Sequence, residues 1–216
     1  MKYTTVLFDL DGTLTDPAQG ICSSVIYAIQ KTGRKTGPIE KYYKYIGPPL
    51  LRSFEVHENA TPEEAQTLLA YYRERFSTVG LFENEVYPGI AELLRDLKAA
   101  GCRIAVATGK PTVYSVRILE HFELLQYIDF VSGIELGREG TEKCENIAQA
   151  LYKLGITDRE NVVMVGDRSH DIIGAKQCRI HSIGVLYGYG SREELEAEDA
   201  ETVVDSVEAL RRELFA

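Results

Sequence analysis

The sequence predicts an α/β fold: a parallel sheet with helices on both faces, interrupted early by an all-helical segment. Three observations carry this. The apolar run Val6, Leu7, Phe8 stops at Asp9, Asp11 and Gly12, as a buried parallel strand does at its carboxyl end. From Tyr87 onward, short β-branched runs alternate with amphipathic stretches, the rhythm of strand–helix–strand units. Between them, residues 16–85 hold no good strand and read as consecutive helices.

Taken in order, residues 6–8 form the first strand. Helices follow at 18–32, 39–45, 50–57 and 61–79, the last opened by Thr61, Pro62, Glu63 and Glu64: a cap, a first-turn proline and acids facing the helix dipole. Tyr42, Tyr43, Tyr45, Tyr71 and Tyr72 belong to this segment and are expected to pack it, hydroxyls outward. Pro88 opens a helix through Leu97 that Gly101 stops, and residues 103–107 (RIAVA) are a buried strand. Pro111 opens the next helix, with Val113, Val116, Leu119 and Phe122 on one face. A short strand at 127–131, a helix at 141–154 ended by Gly155, a strand at 161–165, a helix around 172–176, a strand at 180–185 and a helix at 206–214 complete the chain. The expected division is a core of residues 1–15 and 86–216 and a helical insert of 16–85, with hinges at 15–17 and 86–88.

At 216 residues, 44% hydrophobic and 26% charged, the composition is that of an ordinary globular chain long enough for a real core. A net charge of −9 argues against a nucleic-acid polymer or an anionic membrane as partner, though not against a small phosphorylated molecule. No stretch approaches the roughly 18 apolar residues of a membrane helix, and the first residues lead straight into a strand, so a cytoplasmic location is expected. Cys22, Cys102, Cys144 and Cys178 have no CxxC spacing, which speaks against zinc and against a disulfide framework.

The chemistry sits at strand ends, where open α/β sheets place their ligands. Asp9 and Asp11 crowd the end of the first strand. Two such charges about 4 Å apart repel by roughly 4 kcal/mol at an effective dielectric near 20, so the pair calls for a cation, a shared proton or both. A helix cap with a turn aspartate would use the same Asp-Gly string. Thr108 follows the second buried strand, Lys143 lies near a helix start, and Asp167 and Asp171 follow the strand at 161–165. Three or four carboxylates with no histidine or cysteine partner suit Mg²⁺, and a hydroxyl with a lysine suits phosphate oxygens. Each residue alone also has a plain structural use: Thr108 in a turn, Lys143 on a solvated helix, Asp171 at a helix start.

Together these strings resemble the haloacid dehalogenase superfamily phosphatases, in the phosphoglycolate phosphatase-like branch with a helical cap inserted after the first motif. DLDGTLTD is similar to the first motif, ATGK to the second, Lys143 to the third and GDRSHD to the fourth, and YPGI at 87–90 to the lead-in after the cap. The resemblance spans nearly the whole chain and implies a Rossmann-like core. It implies Asp9 as nucleophile, forming an aspartyl-phosphate, and Asp11 as general acid and then base. It implies Mg²⁺ held by Asp9, the Asp11 backbone carbonyl and Asp167, with Asp171 supporting. Thr108, Gly109 and Lys143 would bind the phosphoryl group. Two departures stand out: Gly109 where relatives commonly carry asparagine, and Arg138 as a rival basic residue to Lys143.

The expected activity is a Mg²⁺-dependent phosphatase on a small phosphomonoester such as phosphoglycolate, a nucleoside monophosphate or a sugar phosphate. The second aspartate favours this over carbon–halogen cleavage. Alternatives are a phosphosugar mutase using the same Asp9/Asp11 pair and a noncatalytic phospho-acceptor or regulatory module. Specificity is expected from the cap, where Gly47 lies in a rigid loop and Arg52 could meet an anionic substrate group; a structural turn there is the other reading. A monomer or homodimer is expected.

Overall fold

The computed structural model describes residues 1–137 and 142–216. The chain divides into two compact units, Met1–Thr15 with Val86–Ala216, and Asp16–Glu85.

In the first unit, six strands form one parallel sheet among the described residues: β1 (Thr5–Phe8), β4 (Arg103–Pro111), β5 (Phe130–Ile134), β6 (Val162–Gly166), β7 (His181–Val185) and β8 (Thr202–Val204). Their order is β5-β4-β1-β6-β7-β8, so the chain winds outward from β1 in both directions. Phe8 pairs with Val106 on one side and Val165 on the other, all in parallel register. Asp9 and Asp167 therefore follow their strands at one end of the sheet, beside Thr108 of β4, at its topological switch point. Alternation along β1 sends Leu7 to the face where Ala105, Ala107 and Met164 meet Ile147, Ala150 and Leu151 of α6 (Lys143–Leu154) and Ala175 of α7 (Ser169–Cys178), all buried. Fully buried Val6 and Phe8 point to the opposite face. Two short strands, β2 (Thr15–Asp16) and β3 (Glu85–Val86), pair where the chain leaves this unit and returns.

The second unit is helical: α1 (Ala18–Lys31), a 3₁₀ segment Ile39–Tyr45, α2 (Leu50–Glu58) and α3 (Pro62–Arg75), which continues as a π turn over Phe76–Gly80. Thr61 and Glu64 close a reciprocal capping box, Glu64 N–H donating to Thr61 Oγ1 (3.3 Å) and Thr61 N–H to Glu64 Oε2 (2.9 Å). Tyr42, Tyr45 and Tyr72 are buried, and Tyr45 donates its hydroxyl to Glu58 (2.7 Å). Tyr43 is exposed, unlike the packing expected of it.

Several boundaries differ from the sequence reading. The strand expected at 127–131 begins three residues later, because Leu125–Tyr127 form a 3₁₀ turn and Asp129 is held by Ile104 O (2.7 Å). Pro111 closes β4 rather than opening a helix; α5 starts at Thr112 and ends at His121. Pro88 lies before α4 (Ile90–Ala99), whose entry is made by Gly89 at φ +89°. Helix α8 (Arg192–Ala197) and strand β8 were not expected, being too short for a periodicity to show. The final helix, expected at 206–214, is α9 (Val207–Phe215), with Ser206 as its cap accepting from Ala209 N–H (3.2 Å). Thr141, given as the start of α6, lies outside the described residues.

Candidate active site

Asp9 emerges from β1 with its backbone N–H on Val165 O (2.9 Å), and the residue is 6% exposed. One oxygen accepts from Leu10 N–H (2.8 Å) and the other lies 2.9 Å from Lys143 Nζ. Lys143, the first residue of α6, is buried; its ammonium also meets Asp171 Oδ1 (2.7 Å) and donates to Ala107 O (3.1 Å). Burial pushes the Asp9 carboxyl up, but the Lys143 charge and hydrogen bonds from Lys143 and Thr108 outweigh it and hold the group below the ordinary aspartate range. Burial likewise disfavours the Lys143 ammonium, and Asp171 and Asp9 reverse this and raise its pKa.

Asp11 behaves oppositely. Its Oδ2 pairs with Lys110 Nζ (2.8 Å), while Oδ1 is buried and has no hydrogen-bond partner among the described residues. Burial raises its pKa by more than Lys110 lowers it. Gly12 turns the chain at φ +82°, and a Cβ there would overlap the Asp167 carboxylate, so this position takes glycine for two reasons.

Asp167 follows β6. Its Oδ2 accepts from Tyr189 N–H (2.8 Å) and its Oδ1 from Thr13 Oγ1 (3.4 Å). Burial, with the carboxylates of Asp171 and Asp9 nearby, pushes its pKa up to about 8. Asp171 sits in the first turn of α7, accepting from Arg168 N–H (3.1 Å). The side chains of Asp9, His170 and Asp171 offer ligand atoms that all lie within 4.8 Å of one another. Thr108 is buried; its carbonyl accepts from Asn146 Nδ2 (2.8 Å) and its hydroxyl from Lys110 N–H (3.3 Å). Gly109 is exposed, with open space where a Cβ would stand.

The structure thus brings Asp9, Asp11, Thr108, Lys143, Asp167 and Asp171 to one sheet edge. Gly47 (φ +101°) and Arg52, exposed in α2, belong to the helical unit. Arg138 lies outside the described residues. Asp171 is first of all the counter-ion of Lys143, a use that spacing did not disclose. Sequence reasoning also passed over Lys110 as the partner of Asp11, although it stands in the ATGK string. It passed over Asn146, His170 and the YGYG loop at 187–190, where a Cβ on Gly188 would overlap Gly12 O and crowd Asp167. Doubled glycine around tyrosine was the available signal for close backbone approach. Glu194, which binds Ser169 N–H (2.9 Å) and Arg168 Nε (2.9 Å), gave none.

The donor set fits a hard divalent cation such as Mg²⁺: carboxylate oxygens, an orphaned buried oxygen on Asp11, and an aspartate whose pKa is driven to about 8 by burial and crowding.

A parallel sheet with this acid–lysine–hydroxyl edge defines an enzyme of the phosphatase class. Comparison with known proteins agrees: the family model for haloacid dehalogenase-like hydrolases matches residues 6–185, and the chain belongs to that family. It is 39% identical over 214 residues to a "5'-nucleotidase" of Pseudomonas aeruginosa, covering 99% of this chain and 96% of that protein. It is 40% identical over 188 residues to the "Tyrosine-protein kinase PtkA" of Mycobacterium tuberculosis, matching 86% of this chain but 62% of that longer protein. The crystal structure of a predicted phosphatase from Clostridium acetobutylicum superposes with a TM-score of 0.93 at 43% identity, covering 100% of this chain and 99% of that one. No helix among the described residues is long and apolar enough to cross a membrane.

Proposed function

We propose that the chain hydrolyses a small phosphomonoester through an aspartyl-phosphate on Asp9, with a divalent cation, Mg²⁺ in the simplest case. The observation that carries this is the opposite drift of two neighbouring carboxyls, Asp9 held ionised and Asp11 held toward its protonated form. A nucleophile needs the first state and a general acid the second.

In the first step Asp9 attacks phosphorus as the bond to the leaving oxygen breaks, and Asp11 passes its proton to that oxygen. In the second, Asp11 takes a proton from water as the water attacks phosphorus, the bond to Asp9 breaks, and inorganic phosphate leaves. Lys143 and Thr108, with the backbone at Gly109, hold the phosphoryl oxygens. Asp9, the Asp11 carbonyl and Asp167 would hold the cation, with Asp171 nearby; when bound it neutralises charge between the carboxylate and the phosphate. Gly47 and Arg52 are the candidates for substrate selection. The similarity to a 5'-nucleotidase over nearly both full lengths makes nucleoside monophosphates the first substrates to try.

The similarity to PtkA supports a second reading, in which the phosphoryl group on Asp9 passes to an acceptor other than water. One experiment serves both: free phosphate release from nucleoside monophosphates, phosphoglycolate and sugar phosphates, with and without Mg²⁺, for wild type and Asp9→Asn. Hydrolysis requires release that is lost in Asp9→Asn; comparable release by that variant refutes the nucleophile. A phosphorylated chain that releases no phosphate points to transfer.

A further inference from the structure

Asn146 follows Lys143 by three residues on α6, so the two side chains leave the same helix face. Both are buried, Asn146 to 3% exposure, and they grip consecutive carbonyls near the end of β4. Lys143 Nζ donates to Ala107 O (3.1 Å) and Asn146 Nδ2 to Thr108 O (2.8 Å). A carbonyl oxygen only accepts, so the amide must present its NH₂ there. The stretch it holds has little else to fix it. Among the described pairings neither β1 nor β5 is in register with Thr108, Gly109 or Lys110, and the β4–β5 register shifts between Ala107 and Pro111. Gly109 has open space where a Cβ would stand, and glycine is the residue least able to hold its own backbone. The peptide joining Thr108 to Gly109 is planar and trans, so its C=O and N–H point in opposite directions. Anchoring the oxygen on Asn146 therefore aims the Gly109 N–H away from Asn146. On the same residue, the Thr108 hydroxyl hydrogen-bonds Asp9 and helps hold it ionised.

We propose that Asn146 is a positioning residue for phosphoryl transfer: by holding Thr108 O it fixes the peptide that follows, so that the Gly109 N–H stands ready to donate to a phosphoryl oxygen beside Asp9. The proposal rests on the reading of this sheet end as a phosphatase site. A donor already aimed where charge develops is worth far more than one that must reorient, and removing one such donor slows an enzyme by about 10²–10³-fold. Asn146 acts through the peptide rather than on the substrate, so its loss costs less than loss of the donor itself.

The test compares wild type with Asn146→Leu, close in shape but unable to donate, and with Asn146→Ser. Ser132→Ala is the control: Ser132 Oγ donates to Gln149 Oε1 (2.7 Å), so this variant removes a different hydrogen bond between α6 and the sheet. Phosphate release from p-nitrophenyl phosphate with Mg²⁺ gives kcat and KM, inhibition by orthovanadate reports binding of a transition-state mimic, and thermal unfolding reports stability. Both Asn146 variants are expected to lose about ten- to a hundredfold in kcat, with orthovanadate inhibition weakened in parallel and KM little changed. Ser132→Ala is expected to lose stability while keeping kcat. In nitrogen-15 spectra of wild type, the Asn146 side-chain NH₂ should exchange slowly with solvent, and orthovanadate should move the Gly109 N–H downfield. A kcat loss in the Asn146 variants no greater than in Ser132→Ala, a freely exchanging Asn146 amide, or an unmoved Gly109 N–H overturns the proposal. The wild-type spectra decide it even if both Asn146 variants misfold. If wild type neither releases phosphate nor binds orthovanadate, the phosphatase reading has failed and the proposal falls with it; normal wild-type turnover with unaffected Asn146 variants removes only the positioning role.

Discussion

Replacing Lys143 with methionine tests the electrostatic frame of the site. The ammonium lies 2.9 Å from Asp9 Oδ2, 2.7 Å from Asp171 Oδ1 and 3.1 Å from Ala107 O, in a side chain 4% exposed. Methionine keeps the stem's bulk and removes the charge, leaving two buried carboxylates beside Asp167 without their counter-ion. Breaking a buried pair in this way costs roughly 3–5 kcal/mol. With a urea slope of about 3 kcal/mol per molar, the unfolding midpoint at pH 7 should fall by roughly 1 M or more. The sign of the pH dependence follows from Asp9. In wild type its folded pKa is depressed, so its stabilisation is present above the unfolded value near 3.9 and is lost as pH falls through the folded value. In Lys143→Met the depressing charge is gone and burial dominates, so protonation relieves the folded state. The deficit should be largest at neutral pH and narrow toward about pH 4. Urea titrations of both proteins at several pH values, without divalent cation, measure it. A deficit below about 1 kcal/mol at pH 7, the worth of an exposed pair, or one that does not narrow in acid, refutes the reasoning.

Three further outcomes are expected. Asp11→Asn should slow turnover by about 10²–10⁴-fold for alkyl phosphates but much less for p-nitrophenyl phosphate, whose leaving group needs no proton; an equal loss on both argues against proton donation. Asp167, with a pKa near 8 when no cation is bound, is protonated below that pH, so Mg²⁺ must displace its proton. Calorimetry in buffers of different ionisation heat should show proton release at pH 7, and affinity should climb with pH and level off above about 8; binding without proton release contradicts this. Gly188→Ala places a Cβ against Gly12 O and Asp167, so thermal unfolding should show a loss of roughly 1–3 kcal/mol together with weaker cation binding; an unperturbed variant means the loop is not seated as described.

Much of this protein is determined by local sequence. Residues 6–8 are apolar, as suits a strand covered on both faces, and that burial fixes where Asp9 and Asp11 emerge. The break in strand–helix rhythm between Asp16 and Glu85 and the capping box at Thr61 are likewise local matters of periodicity and hydrogen bonding. Short elements escaped for the same physical reason: α8 has six residues and β8 three, less than two turns or two alternations of pattern.

Pairings across the chain were decided only by the tertiary structure. Lys143 could have been solvated by any reading of its neighbours; parallel register and the seating of α6 and α7 put it between Asp9 and Asp171, 134 and 28 residues away. The same is true of Lys110 on Asp11, of the 187–190 loop on Asp167 and of His170 facing Asp9. The sequence by itself determined which residues carry charge at the strand ends. The ionisation each holds depends on desolvation and on ion pairs a few ångströms long, and those distances exist only once the sheet has gathered its ends.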